Sequence, residues 1–345
     1  MQLKAIDQQV VAVVGASSGI GRETAIQFAA RGAKLVVSAR SEPGLDSLVD
    51  EIRQIGGEAI AVPADVTNFE QVKAIADKAI QQYGRLDTWV HSAAINLYAT
   101  FEQTTPEEFK RVIDVNLMGQ VHGAMAALPH LKREGRGSLI HVSSVEAKRS
   151  FPYHSAYGAS KHGIDGFLEA MRVELMHEGL SSINVTNVMP ASINTPLFNK
   201  SRTKIGVKPQ GLPPIYQPNI VVDAILYAAC HPTRNIIAGG AGRAMDLIQR
   251  LSPQLMDTLL LQAGAGFKLQ KTSEPKSEDA PDNLFEPIAG FDRVEGDFSK
   301  QSRANSYSTW LETHPTAKWG AIAFGIASLT AVTVLGAVGL AVLAT

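Results

Sequence analysis

The chain has one cysteine in 345 residues, Cys230, so neither an internal disulfide nor a multi-cysteine zinc site can form, and this usage fits a reducing compartment. It has no excess charge of one sign: 32 basic and 33 acidic side chains leave a formal net charge of -1, with no cluster of five or more basic residues. Such a surface gives a polyanion no general attraction, so nucleic acid is excluded as an expected partner. The first nine residues include Lys4 and Asp7 and lead straight into an apolar run, without the long hydrophobic core and small-residue cleavage site of a secretory signal. Nine histidines are present, yet no pair has the helical spacing of a zinc site, and no metal is expected.

Apolar side chains are plentiful at 45%, and the length allows one large domain or two small ones. Runs rich in Val, Ile and Leu recur at Val10 to Val14, Leu35 to Val37, Ile60 to Val62, Leu86 to Val90, Leu139 to Val142, Ile183 to Val188 and Ile236 to Ala238. They are short and nearly continuous, as in parallel strands covered on both faces. The segments Gly21 to Arg31, Gly44 to Ile55, Phe69 to Tyr83, Glu107 to Lys132, Ser155 to Glu178 and Val221 to Cys230 carry apolar residues at helical spacing. Their alternation predicts a Rossmann-like, doubly wound α/β fold with a seven-stranded parallel sheet, in one catalytic domain over 1–270.

From Lys271 to Trp310 the pattern changes: Pro275, Pro281 and Pro287 stand among many Ser, Asp and Glu, with no sustained periodicity. Residues 271–318 therefore read as a linker or a surface-wrapping segment. Beyond Lys318 every residue from Trp319 to Thr345 is uncharged. A helix of that length spans about 40 Å and would cross a hydrocarbon core of about 30 Å, so a C-terminal transmembrane helix in a lipid bilayer is expected over 319–345. Lys300, Arg303 and Lys318 precede it and nothing basic follows, which places the catalytic domain on the cytoplasmic side of the membrane as a tail-anchored protein.

Val10 to Val14 runs into Gly15-Ala16-Ser17-Ser18-Gly19-Ile20-Gly21, followed by a helical pattern. A strand, glycine turn and helix in this order bring backbone amides and a helix N-terminus against a phosphate, although the spacing is not Gly-x-Gly-x-x-Gly. The second strand ends in Ser38-Ala39-Arg40-Ser41, where an acidic residue would bond the ribose hydroxyls of NAD. Arg40 offers a guanidinium for a 2′-phosphate instead, so NADP(H) is preferred over NAD(H). Asp65 after the third strand suits the adenine amine and equally suits a helix N-cap.

Tyr157-Gly158-Ala159-Ser160-Lys161 opens a helical pattern, so Tyr157 and Lys161 share a face. A lysine cation there favours tyrosinate and lowers the phenol pKa from about 10, as a tyrosine acid/base requires. Ser143-Ser144 ends the fifth strand, and Asn116 lies in the helix before it. In these motifs the sequence resembles the classical short-chain dehydrogenase/reductase family over roughly Gln8 to Gly240. The resemblance implies that Tyr157 donates the proton to a carbonyl, that Lys161 lowers its pKa and holds the nicotinamide ribose, and that Ser144 bonds the substrate oxygen. It implies that Asn116 positions a water in the proton relay, and that Pro190 and Thr195 contact the nicotinamide carboxamide. Val66, Ser92, Ala93 and Ile193 are further implied cofactor contacts, and Pro196 to Gln217 a mobile substrate loop whose Pro and Gly content suits a lid. Homodimers or homotetramers through the helices around Glu107 to Lys132 and Ser155 to Glu178 are implied as well.

The sequence departs from the family pattern at Val14, usually Thr, at His91-Ser92-Ala93-Ala94, usually Asn-Asn-Ala-Gly, and at Ala191, where Gly is common. Ser18 stands where many NADP-preferring members carry a basic residue. His154 and His162 flank Tyr157 and read as structural or surface residues, Tyr153 as a pocket or packing residue, and Cys230 as a buried inert thiol. The expected function is an NADP(H)-dependent oxidoreductase interconverting a small-molecule carbonyl and a secondary alcohol, with the anchor pointing to a lipophilic substrate. A membrane-tethered NADP-binding scaffold or redox sensor without turnover is the alternative, though it would need the glycine loop and not the Ser-Tyr-Lys-Asn set.

Overall fold

Val10–Val14 forms the central strand because every one of its side chains is apolar and both its faces are covered. A computed structural model describes residues 3–262 and 266–320. The main strands are β1 Val10–Val14, β2 Lys34–Ser38, β3 Glu58–Ala61, β4 Thr88–His91, β5 Gly137–Val142, β6 Ile183–Pro190 and β7 Asn235–Ala238. They form one parallel sheet in the order β7-β6-β5-β4-β1-β2-β3. The order reverses at β1, between β4 and β2, and ligands of such sheets bind outside the strand ends at that switch point.

Strand alternation sends Val11 and Val13 to one layer and Val10, Ala12 and Val14 to the other. The first layer holds α1 Gly19–Ala29, α2 Glu42–Gln54 and α8 Asn219–Cys230. The second holds α3 Phe69–Tyr83, α4 Pro106–Ile113, α5 Gly119–Glu134 and α6 Ser155–His177. The helix expected over Glu107 to Lys132 runs without interruption from Pro106 to Glu134 as α4 and α5, with a π-helical turn at Asp114–Met118 between them, and Asn116 sits in that turn. The expected lid, Pro196 to Gln217, contains the short α7 Leu197–Lys200 and is fastened on two sides. Arg202–Thr203 pairs with Leu97–Tyr98, and Val207–Pro209 pairs antiparallel with Lys271–Pro275.

The sequence left open whether 271–318 wraps the domain or hangs free; it wraps it. Arg202 bonds Asp282 at 2.7 Å, and Lys208 bonds Glu274 at 3.2 Å and Asp297. Leu284 is fully buried in the same apolar layer as Tyr157. Gly296 and Phe298 donate their amides to the backbone and side-chain oxygens of Asn194, at 3.2 and 3.0 Å. The segment then runs beside Ile215–Gln217 and ends in α11 Tyr307–Thr313, where the Thr309 hydroxyl accepts from the Gly239 amide at 2.9 Å. Two helices outside the expected set, α9 Gly240–Leu251 and α10 Pro253–Gln262, follow β7 and expose Leu247, Leu251, Leu255, Leu259 and Leu261.

Among the described residues no helix is long and apolar enough to cross a membrane. The expected span lies, except for Trp319 and Gly320, outside the described residues.

Candidate active site

At the end of β1 the backbone turns through Gly15 at φ +86° and Gly19 at φ +58°, both left-handed. A Cβ on Gly15 would stand 2.5 Å from the Ala93 amide nitrogen, so glycine is what lets the turn approach the loop after β4. The Val14 carbonyl accepts from the Ser92 amide at 2.8 Å, a backbone link for which valine in place of threonine is no obstacle. The start of α1 has no side-chain cap from Ser18; its Gly19 amide donates to the Arg293 carbonyl of the wrapping segment at 2.9 Å, and the positive end of the helix dipole faces the cleft. Gly21 does not line the cleft; a Cβ there would lie 2.2 Å from the Gly15 carbonyl oxygen, so its role is close packing of α1 on the turn.

One cleft brings together Gly15, Ser17, Ser18, Gly19, Ile20, Arg40, Asp65, Val66, Ser92, Ala93, Pro190, Ile193 and Thr195 with Ser144, Tyr157 and Lys161. At its adenosine end the guanidinium of Arg40 is partly engaged: its two terminal nitrogens donate to the carbonyls of Phe285 and Asn283, at 2.7 and 2.9 Å. Asp65 accepts from the amide and hydroxyl of Thr67, at 2.9 and 2.8 Å, and from Arg111 at 3.1 Å. Burial acts to raise the Asp65 carboxyl, but these bonds outweigh it and hold the group below the ordinary range. Asp65 is not a helix cap; Asn68 caps α3.

At the other end Ser144 closes β5 and Tyr157 and Lys161 lie in the first turns of α6. All three are buried, at 8%, 9% and 1% exposure, which excludes bulk water from a proton transfer. The Ser144 hydroxyl accepts from the Glu146 amide at 3.1 Å and lines the same cleft as the Tyr157 phenol. The Lys161 ammonium donates to the Val142 carbonyl at 3.2 Å and stands 5.2 Å from the Tyr157 ring centroid. The expected downward shift of the phenol is reversed: burial and the Glu146 carboxylate raise it, and only the nearby Ser144 hydroxyl opposes them. Burial likewise pushes Lys161 down to about 7, with Glu146 pulling back. In a dry site desolvation outweighs a cation placed over the ring instead of at the hydroxyl.

Asn116 is fully buried but does not line the cleft. Its side chain accepts from the Ile95 amide at 2.8 Å and donates to the Ile95 carbonyl at 2.9 Å and to Ser160 at 3.3 Å. It thus ties the π-type turn to the loop after β4 and to the residue before Lys161.

Sequence reasoning missed several cleft residues. His154, read as structural or surface, is buried at 4% exposure and lines the cleft, with Nδ1 2.8 Å from Glu146 Oε1. Its ring lies edge-on to Tyr98, centroids 4.3 Å apart. The short interval between Glu146 and His154 was a signal available in the sequence. Lys200, Asn283, Pro287, Ile288 and Asp292 also line the cleft, but they come from the lid and the wrapping segment, which no local motif points to.

The glycine cradle, the uncapped α1 and the polar set beside Tyr157 fit a dinucleotide. A model of the short chain dehydrogenase family matches residues 9–206. The chain belongs to the short-chain dehydrogenase family. It is an NAD(P)-dependent oxidoreductase, and it resembles others along much of its length. The uncharacterized oxidoreductase YxnA of Bacillus subtilis is 36% identical over 319 residues, 91% of this chain and 88% of its own. That match is longer than the sheet and its helices. A short chain dehydrogenase from Mycobacterium paratuberculosis bound to NAD superposes with a TM-score of 0.60 at 25% identity, covering 68% of this chain and 97% of that one. An alcohol dehydrogenase from the archaeon Thermococcus sibiricus complexed with 5-hydroxy-NADP shares the fold, with a TM-score of 0.58 at 24% identity, over 66% and 95% of the two chains.

Proposed function

We propose that this dehydrogenase uses NADP(H) in preference to NAD(H) to interconvert a lipophilic carbonyl and its secondary alcohol. The observation that carries the proposal is the buried Ser144-Tyr157-Lys161 group in the same cleft as the glycine loop. The bound nicotinamide supplies or accepts the hydride. Gly15, Gly19, Ile20, Ser92, Ala93, Pro190, Ile193 and Thr195 would hold it, with Arg40 toward the adenosine. Ser144 and Tyr157 donate hydrogen bonds to the substrate oxygen, Tyr157 protonates the developing alkoxide, and Lys161 balances the tyrosinate left behind. Asn116 keeps the π-type turn beside Lys161 in place for the proton relay.

Tyr98, Phe151, Phe198 and Leu212 make the substrate wall largely apolar, which supports a lipophilic substrate. So do the exposed leucines of α9 and α10, set in one run of chain after β7. The uncharged 319–345 segment supports a bilayer anchor with the catalytic domain on the cytoplasmic side. Exposed Met125 on α5 and Val173 and Met176 on α6 support pairing of two or four copies through these helices.

The test is NADPH and NADH oxidation by the full chain with short, aromatic and lipid-like carbonyls, beside fractionation of cells expressing the chain with and without 319–345. NADPH-dependent turnover favouring lipid-like carbonyls, and membrane recovery that needs 319–345, are expected. Equal use of NADH, turnover of small polar ketones alone, or solubility of the full chain would each remove the corresponding part.

A further inference from the structure

We propose that Lys200 is the side chain that receives the 2′-phosphate of NADP(H), reaching the adenosine end of the cleft from the loop after β6. The proposal rests on the NADP(H) reading above.

The geometry separates two phosphate positions around the glycine loop. Gly19, Ile20 and the uncapped α1 mark the first, with Thr195 against them: a Cβ on Gly19 would lie 3.2 Å from Thr195 Cβ. A pyrophosphate at this position, a helix N-terminus, would compete with the Arg293 carbonyl for the Gly19 amide, which donates to it at 2.9 Å. The second lies on the other side of Ser17 and Ser18, where Arg40 and Ser41 close β2. Lys200 is tied to that second side: its carbonyl accepts from the Asn283 amide at 2.9 Å, and the Asn283 carbonyl accepts from Arg40 at 2.9 Å. Its ammonium donates to Ser18 Oγ at 2.7 Å, and the charged groups it senses are Asp292 and Arg40. Asp292 marks the same place from the wrapping segment: a Cβ on Gly44, in the first turn of α2, would lie 2.3 Å from Asp292 Oδ1 and 3.0 Å from Ser17 Cβ.

The charges there are unbalanced. Arg40 has both terminal nitrogens on strap carbonyls, which leaves it less able to grip a phosphate in the bidentate manner. The Lys200 ammonium has one hydrogen bond among the described residues, to a neutral hydroxyl, and no carboxylate within ion-pair distance. Burial lowers its pKa to about 8, with Asp292 opposing and Arg40 reinforcing. A partly buried cation without a close counter-ion is costly, and a phosphate dianion at this position would supply the missing charge. Asp292 then acts against the phosphate and favours the 2′-hydroxyl, so the two residues set the cofactor preference in opposite directions.

The test titrates NADPH, NADH, 2′,5′-ADP and 5′-ADP into the full chain as wild type, Lys200→Gln, Lys200→Arg and Asp292→Asn. Lys200→Gln is expected to weaken NADPH and 2′,5′-ADP roughly 10- to 100-fold, and NADH and 5′-ADP by about 2-fold or less, the retained NADH affinity reporting an intact fold. Lys200→Arg should keep most of the NADPH affinity, and Asp292→Asn should tighten NADPH several-fold. Equal weakening of all four ligands, or no weakening, overturns the assignment. Wild type that binds NADH as tightly as NADPH instead overturns the NADP(H) reading, and the ratio of 2′,5′-ADP to 5′-ADP affinity in Lys200→Gln still measures the Lys200 contact by itself.

Discussion

The strand ends of the sheet and the strap over 271–318 line the same cleft but are held in place by different forces. The strand ends are fixed by apolar burial: Val14, Val37 and Val90 have no exposed surface, and the glycine turn follows from the strand that precedes it. The strap buries little beyond Leu284 and Phe298 and is held mainly by arginines on backbone carbonyls and by ion pairs. Burial fixes Ser144, Tyr157 and Lys161 in place, whereas polar attachment leaves the strap as the part of the site that is weakened first.

The sharpest separation of the two regions comes from Tyr157→Phe. It should lower kcat by roughly 10²- to 10⁴-fold, with NADPH affinity and strap protection unchanged, because only the proton is lost. Steady-state kinetics beside equilibrium titration checks this, and residual activity near wild type would assign the acid elsewhere.

Lys161→Met tests the cost of placing a cation in the dry end. The folded pKa of Lys161 lies below its ordinary 10.5, near 7, so the unfolded chain binds the extra proton between about pH 7 and 10.5. Wild-type stability from this group therefore rises with pH through that window, and the burial cost is complete below it. The variant should be more stable at pH 7 by roughly 3–4 kcal/mol, with the gap closing toward pH 10. Denaturant unfolding at several pH values reads the slope; parallel curves would contradict it.

The apolar anchor of the strap is the next largest effect. Leu284→Ala should cost about 2–5 kcal/mol of local stability and speed tryptic cleavage within 271–318, while the sheet keeps its unfolding midpoint. A lowered midpoint for the whole domain would mean that strap and sheet unfold as one unit.

Gly296→Ala is smaller and tests close approach. A Cβ there meets the Thr195 carbonyl oxygen at 2.6 Å, so the strap has to lift beside a residue that lines the cleft. A cost of about 1–3 kcal/mol and a several-fold rise in the KM for NADPH are expected. Unchanged cofactor kinetics would separate the strap from the nicotinamide end of the cleft.

The sequence was legible wherever structure repeats at short range. The seven strands lie within a few residues of the apolar runs, and the glycine turn, Ser144, Tyr157 and Lys161 sit at the ends of elements that local pattern marks. The π-helical turn at Asp114–Met118 was not legible, because apolar spacing continues across it, and Asn116 within it pairs with Ile95 from a distant part of the chain. The tyrosine was found, but not the direction of its pKa, which depends on Glu146 and on how little water reaches the ring.

By itself the sequence determined the alternating sheet, the glycine turn after β1 and the placing of Ser144, Tyr157 and Lys161 at the ends of their elements, because each is written in residues at most a few turns apart. Tertiary structure alone decided which groups share the adenosine end of the cleft. Ser18 and Lys200 are separated by 182 positions and Arg40 and Phe285 by 245, yet both pairs are hydrogen-bonded. Such contacts depend on the path the chain takes after the sheet is complete, and polar groups with many equivalent partners leave no periodic trace of the one they take.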